Sequence, residues 1–244
     1  RQSEFLKLQK KNCCYQHQQN DKNVFMVENK MNINRAKDFA EVYTFEKEVN
    51  SMTSLVSNEV QRIDSRFLEP ACGNGNFLIN ILKKKIEIVE KKYKKSQIEY
   101  ERYSIQAISS LYGIDILEDN VEDCKKRLSN YLYENYEKIF KKDIKNEFFK
   151  TINFILSLNI VWGDALSLKT MKSKKPITFA EWSFVSGSLI KRTDYSFSDL
   201  IAYQPFDEGT LFSDLGEKVI IPDPKCSYKP THYLNLVNHV IEKL

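Results

Sequence analysis

Eight consecutive residues, Glu69-Pro70-Ala71-Cys72-Gly73-Asn74-Gly75-Asn76, set two glycines in a short run directly after the apolar Phe67-Leu68. Glycine tolerates left-handed backbone and lets the main chain approach a ligand closely. A turn of that kind at the start of a helix also offers N–H groups to the ligand. Two carboxylates stand in comparable places further on. Asp115 closes Leu111-Tyr112-Gly113-Ile114-Asp115, and Asp164 follows Asn159-Ile160-Val161-Trp162-Gly163. A carboxylate at a strand end can accept from both hydroxyls of a ribose, which suits Asp115, or from an adenine amino group, which suits Asp164. Each feature alone has an ordinary reading, since a G-x-G turn is often only a turn and an Asp after a strand often only a cap. Their order along the chain raises the specificity.

The elements that must position these residues follow from patterning. Between Asn34 and Asp64, Phe39, Val42, Phe45, Val49, Met52, Leu55, Val56 and Val60 recur at helical spacing, with Thr44 as a candidate cap. Arg66 to Glu69 reads as a strand ending at Pro70, and Phe77, Leu78, Ile81 and Leu82 start a helix after the glycine turn. That helix runs into Lys83, Lys84, Lys85, Lys91, Lys92, Lys94 and Lys95, with Ile86, Ile88, Val89 and Tyr93 keeping an apolar stripe. Glu87, Glu90, Glu99 and Glu101 intersperse the lysines, so a solvated face is preferred over a patch for nucleic-acid phosphates. Leu111–Leu117 is expected as a strand, 119–139 and 143–157 as helices, Asn159–Trp162 as a third strand and Ile177–Phe179 as a fourth. Residues 186–230 read as loops with short strands such as Lys218–Ile221, and Thr231–Leu244 as a final helix. Repeated βα units predict an α/β fold, with a mostly parallel sheet and helices on both faces.

Composition narrows the class. Charged residues are 29% of 244, yet 37 basic against 33 acidic side chains leave only +4, and aromatic residues supply 12%. That excludes a core-poor disordered chain. Cys13, Cys14, Cys72, Cys124 and Cys226 contain no C-x-x-C spacing, and His17, His232 and His239 form no ligand pattern with them. Neither a disulfide framework nor a metal site is expected. No apolar run approaches the roughly 20 residues that span a bilayer. The start lacks a signal-peptide core, so a cytoplasmic setting and no membrane partner are expected. Beginning at Arg1 suggests a processed, truncated or upstream-extended product, with Met26 or Met31 as alternative starts. The expected domains are a loosely ordered arm over 1–35, rich in Gln, Asn and Lys, and one domain over 36–244.

The ordered set Glu69 to Leu78, then Gly113-Ile114-Asp115-Ile116, then Gly163-Asp164-Ala165-Leu166 closely resembles the amino-group DNA methyltransferases that use S-adenosylmethionine. The adenine-N6 branch of restriction–modification systems is the nearest likeness. Glu41-Val42-Tyr43-Thr44 resembles that family's upstream element, usually written around Thr-Pro, with Phe45 replacing the Pro. The resemblance covers roughly residues 40 to 167. It implies a Rossmann-like doubly wound sheet, the class I methyltransferase fold, with an N-terminal helical arm. It further implies that Thr44 helps enclose the methionine part of the cofactor. Glu69, Pro70, Ala71, Gly73 and Gly75 would cradle the methionine and sulfonium side, with Asn76 starting the next helix. Asp115 would take the ribose hydroxyls, Ile116 would pack on the adenine, and Asp164 would meet the adenine amino group beside Ala165 and Leu166. The 40-residue interval from Gly75 to Asp115 exceeds the compact spacing of roughly 20, and the Lys-rich segment would account for it as a lengthened crossover.

Two departures from the family pattern bear on activity. The family's catalytic tetrapeptide is Asn or Asp, Pro, Pro and an aromatic, and this sequence has no Pro-Pro pair. Its nearest string is Tyr203-Gln204-Pro205-Phe206, which keeps one Pro and the aromatic. Only 38 residues follow Phe206, so a separate specificity or target-recognition subunit is expected for sequence reading. Lys191-Arg192 with Tyr195 and Phe197 could meet phosphates and bases, although such mixed pieces are common in loops. The sequence therefore supports two readings. One is an adenine-specific DNA methyltransferase, and the other a degenerate subunit or regulator that keeps the cofactor without turnover. Methylation of RNA or protein is a third, weaker option.

Overall fold

Three short apolar strands form the centre of the structure: β1 (Phe67–Glu69), β2 (Leu111–Asp115) and β3 (Ile160–Asp164). They pair in parallel in that order, with Phe67 opposite Leu111 and Gly113 opposite Ile160. The structure is a computed structural model that describes residues 51, 54–141, 143–202 and 223–238. The expected arm over 1–35, Thr44, the string Tyr203, Gln204, Pro205 and Phe206, and the strand expected at Lys218–Ile221 lie outside the described residues.

Parallel neighbours need crossovers, and each crossover here takes two helices. Helix α1 (Ser57–Val60) precedes β1, α2 (Asn76–Tyr93) and α3 (Gln97–Ser109) join β1 to β2, and α4 (Glu118–Phe140) and α5 (Asn146–Asn159) join β2 to β3. The long interval between Gly75 and Asp115 is thus filled by a second helix. Ser96 starts it by accepting from the Glu99 N–H at 3.4 Å. This side-chain cap supplies a partner that the first helical turn lacks.

Every residue of β2 is buried, as expected for a strand covered on both faces. On one face Leu111 and Ile160 join Leu78 and Leu82 of α2, Ile105 of α3, Leu128 of α4 and Ile152 of α5 in a single core. On the other face Tyr112 and Ile114 pack against Ile177, Phe179 and Phe197. That second layer is mostly sheet. Whereas β4 (Lys169–Thr170) runs antiparallel to β3 and extends the central sheet in the order β1-β2-β3-β4, β5 (Thr178–Ser186) and β6 (Leu189–Ser196) form the hairpin of this layer. α6 (Phe197–Ala202) follows, and β7 (Cys226–Ser227) and β8 (Thr231–His232) add to β6. The helices expected on both faces are present on one, whereas the other carries the hairpin and the six-residue α6.

Two further expectations are corrected. Residues 189–196, within the stretch read as loops with short strands, are an eight-residue strand in which Arg192 donates to both carboxylate oxygens of Asp194 at 2.7 Å. The helix expected from Thr231 is instead β8 followed by a single 3₁₀ turn over Tyr233–Asn235, where His232 Nδ1 accepts from the Leu234 N–H. Tertiary bonds set that conformation. Tyr233 is buried, its hydroxyl donates to Glu101 at 2.7 Å, and its carbonyl accepts from Thr151 Oγ1.

Candidate functional site

The turn after β1 is built by main-chain bonds before any ligand is considered. The Cys72 N–H donates to the Ile114 carbonyl at 2.9 Å, which hooks the turn onto the end of β2. Gly75 then donates back to the Cys72 carbonyl at 2.8 Å. Both glycines adopt left-handed φ, +51° at Gly73 and +86° at Gly75. Gly75 is doubly constrained, because a Cβ there would lie 2.6 Å from Cys124 Sγ on α4. Beside Gly73 the space is open, with nothing within 4 Å of a Cβ. One glycine therefore serves close packing, and the other borders free volume at a strand end. α2 begins directly after Gly75, which as the N-cap residue supplies no side-chain cap.

Asp115 organises this turn. Its Oδ2 accepts from the Gly73 N–H at 2.8 Å, and its Oδ1 accepts from the Leu117 N–H at 2.9 Å and from Asn120 Nδ2 at 3.3 Å. The ordinary reading of a cap and the sharper reading of a ligand contact therefore coexist. A carboxylate offers about four acceptor sites, so after these three bonds one remains, on Oδ2. Glu69 is half-buried, and burial pushes its carboxyl up while a hydrogen bond from the Ala71 backbone opposes the shift.

The register carries the three strand ends into a row. Glu69 lies opposite Gly113, and Asp115 opposite Trp162, so Asp115 and then Asp164 each project two residues further along. Ile116 and Leu166 are apolar yet exposed at 42% and 96%, and Ala165 packs at the edge of the second core. Trp162 Nε1 donates to the Ile116 carbonyl at 3.0 Å and fixes that residue. The Asp164 carboxyl is held below its usual range by the Ser167 hydroxyl and by the Leu166 N–H, 2.9 Å from Oδ1. The structure thus places Glu69, Pro70, Ala71, Gly73, Gly75, Asn76, Asp115, Ile116, Asp164, Ala165 and Leu166 at or just beyond the carboxyl ends of three adjacent parallel strands.

Residues without a sequence signal complete the site. Arg127 of α4 donates to the Asn74 carbonyl at 2.7 Å and to Asn76 Oδ1 at 2.9 Å, clamping the turn from the helix side. The paired thiols of Cys72 and Cys124 lie buried beneath it. The Cys124 thiol hydrogen-bonded beside Cys72, together with burial, holds the Cys72 thiol far above its usual range, so Cys72 is not poised as a nucleophile. On the second face a cavity of about 590 Å³ begins at Pro70, and Leu68, Tyr112, Phe179, Tyr195 and Phe197 form much of its lining. Its size and aromatic walls suit a planar ring. Of the basic–aromatic piece, Tyr195 and Phe197 reach this cavity. Arg192 is already engaged by Asp194 and lies 4.4 Å from the Tyr228 ring centre.

Among the described residues, no helix is long and apolar enough to cross a membrane, and no group of three His, Cys, Asp or Glu side chains could hold a metal ion. Compared with family models, with curated proteins and with solved structures, the chain matches none.

Proposed function

We propose that the chain is an S-adenosylmethionine-dependent methyltransferase with a Rossmann-like fold, acting on adenine N6 in DNA. The observation that carries the proposal is the row of three strand ends: a glycine turn with open space, then Asp115, then Asp164, on adjacent parallel strands in chain order. The donor set fits the cofactor. Gly73 leaves room for the methionine part, Asp115 keeps one acceptor for a ribose hydroxyl, and exposed Ile116 and Leu166 supply apolar contact to a purine. S-adenosylmethionine supplies the activated methyl group when bound. The chain's own contribution is positioning, which can account for much of a direct in-line transfer. The aromatic cavity beside Pro70 is where a flipped base would be held, and extrusion of the target base is how such enzymes reach it.

A second reading has its own observation, the missing Pro-Pro tetrapeptide. It makes the chain a cofactor-holding subunit or regulator, with transfer and target recognition supplied by a partner. Titration of S-adenosylmethionine into the protein, followed by labelled-methyl transfer to mixed DNA, separates the two. Binding with transfer supports the enzyme, and binding without transfer supports the subunit. Failure to bind refutes both.

Asp164→Asn is the clean probe of the site. The Asn keeps an oxygen for the Leu166 N–H, so the unfolding midpoint should be close to that of the wild type. Its remaining NH₂ would face the adenine amino group donor to donor. Cofactor affinity should fall about tenfold. Unchanged affinity would remove Asp164 from the site.

A further inference from the structure

The end of the sheet opposite the glycine turn carries a second cavity of about 410 Å³, which shares Arg66 and Tyr112 with the aromatic one. Arg102, Tyr103 and Gln106 of α3 form one wall, Ser110 lies at the α3–β2 junction, and Trp182 and Ser183 of β5 face them. No residue of the proposed cofactor cradle borders it.

Arg102 is the distinctive group. It is half-buried, and its guanidinium lies 5.7 Å from the Tyr103 ring centre and 5.1 Å from that of Phe184. Tyr103 is itself fixed by stacking on Tyr93 of α2, with centroids 3.8 Å apart and planes 9° from parallel. Rings hold a guanidinium by its faces and leave its five in-plane N–H donors for other partners. Among the described residues, no hydrogen bond or ion pair takes any of those donors. The neighbouring charges are already matched: Arg66 pairs with Glu181, and Asp64 with Arg62 at 3.4 Å. Behind the wall, the buried Lys85 Nζ donates to Ser110 Oγ at 2.5 Å and holds that hydroxyl in place. Gln106, one turn on from Arg102, and Ser183 across the cavity offer further polar groups. Around the Tyr93–Tyr103 stack, Lys91, Lys92, Lys94 and Lys95 are exposed on the last turn of α2 and just beyond it.

We infer that this cavity binds a phosphate ester, with the oxyanion seated on the in-plane donors of Arg102. A pre-oriented guanidinium fork is the strongest neutral-pH receptor a side chain offers to phosphate or carboxylate. The polar groups on several walls favour the tetrahedral phosphate over a flat carboxylate, and the surrounding lysines extend the field that a polyanion would meet. Two sources carry this chemistry, a free nucleotide and a nucleic-acid strand.

The test titrates the full chain with inorganic phosphate, adenosine 5′-monophosphate, succinate and a short single-stranded oligonucleotide. The wild type is compared with Arg102→Gln and Gln106→Glu. The second variant leaves the Arg102 packing intact and offers it a competing carboxylate one turn away. At least one phosphate probe should bind the wild type, and each folded variant should weaken it by about tenfold or more. Oligonucleotide binding that far exceeds nucleotide binding, falls steeply with salt and weakens in Lys92→Glu identifies a strand. Equal affinity for nucleotide and oligonucleotide identifies a free nucleotide. Absence of binding by every phosphate probe, wild-type affinity in Gln106→Glu, or binding of succinate in place of phosphate overturns the inference.

Discussion

Lys85 is fully buried on α2, and its replacement by methionine separates two opposing effects that the fold sets against each other. Its Nζ donates to the Ile63 carbonyl at 3.1 Å, to the Ser65 carbonyl and to Ser110 Oγ, while Ser110 in turn donates to the Ala107 carbonyl. All three ammonium donors are used, and no carboxylate pairs with Lys85 among the described residues. Burial lowers its pKa from 10.5 to about 7, opposed only by the more distant Asp64 and Glu59. The folded pKa lies below the unfolded one, so the unfolded chain holds the proton more tightly between those values. Stability therefore rises with pH across that window, at up to about 1.36 kcal/mol per unit, and the burdened state is the one below pH 7. From pH 7.5 to 9.0 the integrated gain is about 2 kcal/mol for the wild type and none for Lys85→Met.

The same variant strands two buried carbonyls, at about 1–3 kcal/mol each, and removes a buried charge that offsets part of the loss. A net destabilisation of about 1–3 kcal/mol is expected at pH 7.5, growing by about 2 kcal/mol at pH 9.0. Urea unfolding of both proteins at matched pH measures the difference, in which every other titrating group cancels. A wild-type-minus-variant difference that stays flat from pH 7.5 to 9.0 would refute the reasoning. It would mean that the three acceptors outweigh desolvation and keep Lys85 charged throughout.

The two glycines of the turn should respond differently to alanine. Gly75→Ala combines left-handed strain with a 2.6 Å clash against Cys124 and should cost about 2–4 kcal/mol by thermal or chemical unfolding. Gly73→Ala meets open space and should cost about 1–2 kcal/mol, so equal losses would contradict the assigned roles. At Glu101, fully buried beneath Tyr136, Tyr233 and Lys145, Gln substitution leaves the lysine without its carboxylate. It should destabilise by about 2–4 kcal/mol in the same assay, and a neutral result would remove this hub as the anchor of the Tyr233 segment.

How much could be read beforehand depended on how local the cause was. The existence of β1, β2 and β3 was readable because each is a short apolar run followed within a few residues by a turn or helix signal, although β2 stops at Asp115 rather than Leu117 and β3 continues to Asp164 rather than stopping at Trp162. The break between α2 and α3 went unread, because the apolar stripe threads the lysines as if one helix filled the crossover. The hairpin was not readable. The buried polar residues Thr193, Asp194 and Ser196 of β6 blur the alternation that marks a strand, and their partners come from the tertiary fold and the next turn: Arg192 and Tyr228 bind Asp194, and Ser198 bonds Ser196. The cavity wall was hidden for a similar reason. Tyr112 and Phe179 meet at 5.3 Å between ring centres, although 67 positions separate them in the chain. Arg127 reaches the glycine turn from 51 residues away, and no periodicity announces such a contact.

Asp115 joins the fold and the proposed chemistry most tightly, and it limits what mutation there can prove. The three bonds it accepts shape the turn, so the cradle is formed before a ligand arrives. A preformed site loses less entropy on binding than one that must order a loop. The same economy leaves a single acceptor for a ribose hydroxyl, so Asp115 can add about one hydrogen bond to affinity while supporting two backbone N–H groups of the turn and of α4. Removing its carboxylate strands those donors, and the cofactor site would be lost through the turn as much as through the contact. Binding measured at Asp164, whose carboxylate is exposed at the far end of the row, therefore tests the cofactor reading more cleanly than any substitution at the better-connected Asp115.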